Sequence, residues 1–376
     1  MTDKITELLR SLVEIRSSYP NEKELADYIF TFLSNQNDIS VDKQVVGGDR
    51  FNIIATRGTG TKSIAFYAHL DTINVVDGWK RDPFKLTIEG DRAYGLGSYD
   101  MKGGMVANII TFLETDILED YYFKLILCVD EEYISKGGYA VANSDFVNDV
   151  ECIFSPEPAF KYGLNGITIG RVGRSVFEIE LNRDSAHYNF YSPDKDLNIL
   201  ASKIIQNINY ATYNEQSSDE RQFVYVRNYV SSSVGMSVPQ KVLIELDSSI
   251  IPPMNTEEMI SLIENIIKTE ISNFDSSINY EVRAKSRVTP FLQPYRIEKD
   301  NNYLEKLKRA VNNITGEEAK PYFRSSVGDD NIFGALGHTL LGIGPTGDNA
   351  HAPDEWVSIS SIEKLIEVYI EFLNQL

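Results

Sequence analysis

Only four histidines occur in the 376 residues, so the company each one keeps is informative. His69 ends the run Ser63-Ile-Ala-Phe-Tyr-Ala-His69, an apolar strand pattern, and Asp71 follows two residues later. Alternate residues of a strand face one way, so the Asp71 carboxylate can orient the His69 imidazole; the same pair would also suit a purely structural histidine. Asp100 lies in Gly95-Leu-Gly-Ser-Tyr-Asp-Met-Lys-Gly-Gly104. This loop is not a dinucleotide cradle, because Asp100 stands at the third glycine of Gly-x-Gly-x-x-Gly and no Gly-Lys-Ser/Thr follows. It reads instead as a tight turn presenting one carboxylate.

Asp130-Glu131-Glu132 follows an apolar strand, Glu157 sits between prolines in Ser155-Pro-Glu-Pro158, and His351 lies in the polar loop Gly347-Asp-Asn-Ala-His-Ala-Pro-Asp-Glu355. Three consecutive acids repel one another, which suits either a solvated turn or a cation site. Two imidazoles and three carboxylates match the nitrogen and oxygen ligands of Zn²⁺ or a similar divalent ion. Five ligands serve two ions if one carboxylate bridges. Two dications then balance about three carboxylates and one hydroxide, leaving a buried centre near neutral.

The elements that must position these residues read as α/β. Apolar residues Ile5, Leu8, Leu9, Leu12 and Val13 recur at helical spacing, and a second helix is expected after Asn21 with Glu24 completing a capping box. Strands at 52–55, 63–68, 124–129 and 151–154 alternate with helices such as 104–114. From about residue 172 the rhythm becomes strand, helix, two strands, helix, strand, ending near 284, the pattern of a compact α+β unit. The α/β rhythm returns with a helix near 303–313, a strand at 339–343 and a closing helix at 361–373. The expected organisation is therefore one domain from 1–171 and 288–376, with a second, 172–287, inserted into it.

Composition narrows the partners. A hydrophobic share of 42% with 24% charged residues is that of a globular chain, and the formal charge of −19 opposes nucleic acid and anionic lipid surfaces. Cys128 and Cys152 sit in apolar runs, so no disulfide framework is expected. Neither a leader-like nor a membrane-spanning run is present, which leaves a cytoplasmic address as the expectation.

The ordered set resembles the co-catalytic metallohydrolases that include acetylornithine deacetylase, succinyl-diaminopimelate desuccinylase, aminoacylase and glutamate-type carboxypeptidase. The motifs that carry the resemblance span nearly the whole chain: His69-x-Asp71, Asp100-Met-Lys-Gly103, Glu131-Glu132, Glu157-Pro158 and His351-Ala-Pro-Asp-Glu355. The resemblance implies a zinc-peptidase-like catalytic domain, with helices around a mixed sheet, and a ferredoxin-like inserted lid of four strands and two helices that also dimerises. It implies two divalent ions, Zn²⁺ or alternatively Co²⁺. Asp100 would bridge them, with His69 and Glu157 on one ion and Glu132 and His351 on the other. Glu131 would be the general base acting with a metal-bridging hydroxide, and Asp71 the orienter of His69. His187, in Ser185-Ala-His-Tyr188, would polarise the scissile carbonyl, and Asn198 belongs to the same lid motif.

Two departures leave the substrate open. Met236-Ser-Val-Pro239 stands where many relatives place Asn before Val-Pro, and Asp247-Ser-Ser249 stands for their Asp-x-Arg. Arg324, in Phe323-Arg-Ser-Ser-Val-Gly-Asp-Asp-Asn331, is the candidate for a bidentate grip on a substrate carboxylate, with a structural salt bridge as its other reading. The implied reaction is hydrolysis of the amide in an N-acyl amino acid. A dipeptidase or carboxypeptidase would share every metal ligand, and a non-catalytic binding relative is disfavoured by the retention of Glu131.

Overall fold

The computed structural model describes residues 1–376 and divides into two compact units. The first comprises Met1–Ile169, Ile297–Tyr322 and Gly328–Leu376; the second comprises Gly170–Arg296 with Phe323–Val327. The second unit is thus wider than the 172–287 read from the sequence and takes in a later segment. The reason is pairing: Tyr295 and Arg296 lie opposite Arg171 and Gly170, and Val172 N–H donates to the Arg324 carbonyl.

In the first unit the apolar runs become the inner strands of a mixed sheet. Lys62–His69 lies between Tyr121–Cys128 and Val150–Ser155, parallel to both, and Thr339–Gly342 extends the parallel set. Arg50–Arg57 and Ile39–Gly47 continue it in antiparallel fashion on one side. Every residue of Lys62–His69 after the first is buried, as a strand covered on both faces requires. The closing helix Ile359–Leu373 supplies Tyr369 and Phe372, whose rings meet Phe154 at 5.0 and 4.8 Å between centroids. Each such buried side chain contributes about 1.5–3 kcal/mol. Cys128 and Cys152 are buried and unpaired with each other.

The second helix runs Lys23–Ser34 without the expected capping box. Glu22 occupies the cap position, but its carboxylate is taken by Arg50, whose Nε donates to it at 2.9 Å, and Arg50 also reaches Asp130 at 3.2 Å. A buried guanidinium outcompetes a backbone cap for that carboxylate.

The second unit holds a five-stranded antiparallel sheet, not four strands. Its order is Asn214–Ser217, Glu220–Ser232, Lys241–Ile250, Gly173–Asn182, Asn279–Ala284. The extra strand is a short hairpin arm that covers only the start of its neighbour, Asn214 pairing with Gln222. Helices Leu197–Thr212 and Thr256–Phe274 cover one face through Ile204, Ile208, Ile263 and Ile267, which pack with Ile179, Ile244 and Leu246. A complete capping box between Asn255 and Glu258 starts the second of these helices. No helix of the chain is long and apolar enough to cross a membrane.

Candidate metal centre

Parallel strands deliver their carboxyl ends to one edge of the sheet, and the register aligns the chemistry there. His69 lies opposite Cys128, three residues before Glu131, and Phe66 lies opposite Phe154, so that His69 and Glu157 each stand three residues beyond a matched pair. The His69 Nδ1–H donates to the Asp71 carbonyl at 2.8 Å, which leaves Nε2 facing Asp100 Oδ1 at 3.3 Å and Glu157 Oε1 at 3.7 Å. The hydrogen-bond partner of Nδ1 is therefore the Asp71 backbone. The Asp71 carboxylate lies 3.7 Å from Nδ1 and instead accepts the Glu131 and Glu132 N–H groups at 3.1 and 2.9 Å. The strand ends at His69, so the alternation that would have aimed the Asp71 side chain at the ring no longer holds there.

The opposite side of the site comes from the hairpin between Gly347–Asp348 and Trp356–Ser358, where His351 adopts φ 61°. Its Nε2 lies 2.9 Å from Glu132 Oε1 and 3.3 Å from Asp100 Oδ2. Asp100 thus turns one oxygen to each histidine, and each histidine has a second carboxylate beside it.

The electrostatics fit cations. Burial pushes Glu131 well above the usual carboxylate range, with Glu157 adding to it, and raises Glu132. Against the penalty of burial, hydrogen bonds from His351 and His69 hold Asp100 low. Hydrogen bonds to Asp100 and Glu132 push His351 up to about 11, and at His69 burial is overcome by Asp100 together with the charges of Glu131 and Asp71. Without other cations, the acids draw protons onto both imidazoles; divalent ions would meet the same need for positive charge. Ligand atoms of His69, Asp100 and Glu132 lie within 4.8 Å of one another, as do those of His69, Glu131 and Glu157. These nitrogen and oxygen donors are of the types that hold divalent ions.

Two residues given no role in the sequence reading hold this arrangement. Asp329 N–H donates to Glu131 Oε1 at 3.3 Å while its carboxylate accepts the buried Tyr67 hydroxyl at 2.8 Å. Glu355 accepts three backbone N–H groups of the loop that carries Asp100. In that loop Gly97 has φ +73°, and a Cβ there would meet Thr72 at 2.4 Å. Lys102 is buried and caps the first helix through the Leu12 and Ile15 carbonyls at 2.8 and 3.1 Å.

His187, Asn198 and Arg324 belong to the second unit. His187 is exposed, and its Nδ1 accepts the Asn189 N–H at 3.3 Å, placing the ring proton on Nε2. The Asn198 side-chain oxygen accepts the Tyr229 hydroxyl at 2.6 Å. Arg324 is buried, with Nε donating to Ser326 at 3.0 Å.

The α/β sheet gathers histidine and carboxylate side chains beyond its strand ends, the donor types of a metal-dependent protein. The chain belongs to peptidase family M20/M25/M40, whose sequence model matches residues 65–375. It is 24% identical over 382 residues to a succinyl-diaminopimelate desuccinylase from Sulfurovum sp. (strain NBC37-1), covering 98% of both chains. An M20 family metallo-carboxypeptidase from Sulfolobus solfataricus shares the fold at a TM-score of 0.69, 18% identity and 99% coverage of each chain. So does a dinuclear metal-binding M20 peptidase from Bacillus subtilis, at 0.70 and 13% identity over 99% of this chain and 97% of that one. The enzyme is thus an M20 hydrolase, with a relative named as a succinyl-diaminopimelate desuccinylase.

Proposed function

We propose that this enzyme hydrolyses the amide of an N-acyl amino acid, using two divalent metal ions, Zn²⁺ in the first instance, and that it works as a homodimer. The observation that carries the reading is Asp100, whose two oxygens face His69 and His351 at 3.3 Å each. Glu157 would complete the His69 ion and Glu132 the His351 ion. When bound, such ions polarise the amide carbonyl and lower the pKa of water to about 7. Glu131, placed by Asp329 beside His69 and Glu157, takes a proton from the attacking water and passes it to the departing amine nitrogen.

A substrate with a free carboxylate is supported by a cleft of about 430 Å³ within the second unit, lined among others by Arg174, Arg221, Tyr225, Asp247, Ser325 and Ser326. Arg174 is engaged bidentately by Asp247 at 3.0 and 2.7 Å, and Arg221 stands on the same wall. The names of the desuccinylase relatives favour an acyl substrate, and the same ligands would serve a peptide. After chelation and readdition of Zn²⁺ or Co²⁺, N-acetyl and N-succinyl amino acids should be cleaved faster than dipeptides. Activity that survives chelation, or cleavage of dipeptides alone, would overturn the proposal.

Dimerisation is supported by the strand Glu220–Ser232, whose outer edge is open beyond Gln222 and carries Tyr225, Val226, Tyr229 and Val230 at 36–49% exposure. A long uncovered edge with apolar residues is a template for pairing with a second strand. His187, with its proton on Nε2, would then donate to the developing oxyanion, in the partner's site. His187→Ala should retain full metal content and lose about 10²–10³ in turnover. Mixing it with inactive Glu131→Gln subunits should restore about a quarter to a half of the sites, because some pairings reunite both intact groups. Absence of recovery in subunits shown to exchange would remove the cross-subunit role.

A further inference from the structure

The loop that presents Asp100 is held from outside by one side chain. Glu355 is buried, at 2% exposure, and its Oε1 accepts the N–H groups of Tyr99 and Asp100 at 2.9 and 2.8 Å. Its Oε2 accepts the Gly97 N–H at 2.7 Å, and its carbonyl accepts that of Gly95 at 3.1 Å. Four residues earlier in the same hairpin stands His351, 3.3 Å from Asp100 Oδ2. The segment that supplies one ligand therefore clasps the backbone that supplies another.

We propose that Glu355 is a positioning residue for the metal centre, locking the Asp100 and His351 loops into one body so that the bridging carboxylate and the second histidine are set before any ion arrives. Three N–H donors converge on two oxygens, and only an acceptor at both positions satisfies them. Glutamine presents one oxygen and turns an NH₂ group toward at least one N–H, so the loop must give. Asp100 has to keep one oxygen toward each histidine, and a shift of its backbone misdirects both. Partners that orient metal ligands are typically worth about 10–100-fold in metal affinity. A contrasting anchor exists in the same region: Asp91 accepts the Ser360 N–H at 2.8 Å and the Ser358 and Ser360 hydroxyls, tying the far end of the hairpin that carries His351 rather than the loop that presents Asp100.

The inference rests on the two-metal reading. The test is calorimetric titration of chelator-stripped wild-type protein, Glu355→Gln and Asp91→Asn with Zn²⁺, alongside thermal unfolding of the metal-free proteins. Glu355→Gln is expected to bind Zn²⁺ about 10–100-fold more weakly, while Asp91→Asn keeps wild-type affinity whatever it loses in melting temperature. Wild-type affinity in Glu355→Gln, or an equal loss in both variants, would overturn the positioning role. Failure of the wild-type protein to bind any divalent ion would sink the two-metal reading itself, a different result. Should Glu355→Gln not fold, Glu355→Asp, which retains two acceptor oxygens on a shorter arm, must show the same weakening or the role is lost.

Discussion

Glu131→Gln is expected to leave both metal ions bound and to lower turnover by about 10²–10⁴, the range that general-base catalysis supplies. Glutamine keeps the shape of the side chain and an oxygen that can accept the Asp329 N–H, now at 3.3 Å, so the surrounding loop has no reason to move. What disappears is the carboxylate proposed to carry a proton from water to the leaving nitrogen. The substitution also removes one acid from a site where burial and Glu157 already disfavour the charged form, so folding stability should hold or rise. Elemental analysis and steady-state kinetics on one preparation check both halves. Near-wild-type turnover with full metal content would remove Glu131 from the mechanism; metal loss would recast it as a ligand.

Asp100→Ala should have the largest effect on metal content. Each of the other proposed ligands serves one ion, whereas the oxygens of Asp100 face His69 and His351 separately, so its removal strips a donor from both sets. It also removes the only proposed carboxylate between the two ions, leaving their mutual repulsion less screened. Metal content should therefore fall below that of His351→Ala, which opens only one set, and activity should be lost with it. Two full equivalents of metal in Asp100→Ala would end the bridging assignment.

Much of this site was legible from the amino-acid sequence because its pieces are local. An apolar run that stops at His69, or just before Glu131 or Glu157, reports a buried strand and the polar residue at its end, and parallel strands send those ends to one place. The late polar loop around His351 could be recognised the same way, by its position after a strand. The inserted unit announced itself as a change of rhythm, though its borders did not, because Tyr295–Arg296 and Phe323–Val327 join it through pairing that no local pattern encodes.

Other features depended on contacts between distant segments. The Asp71 carboxylate was expected to face the imidazole, but two N–H groups sixty residues away compete for it and the backbone carbonyl takes its place at His69. Glu24 had no cap to complete, since the helix starts at Lys23 with Glu22 at its cap, one residue too late for Glu24 to stand third in it. Glu355 looked like an acid in a polar loop until the hairpin brought it to the Asp100 N–H, 255 residues earlier in the chain. Residue type and local periodicity report which groups will be carried to the edge of the sheet. Which donor each of them finds there is settled by competition among partners that only the folded chain brings within hydrogen-bonding distance.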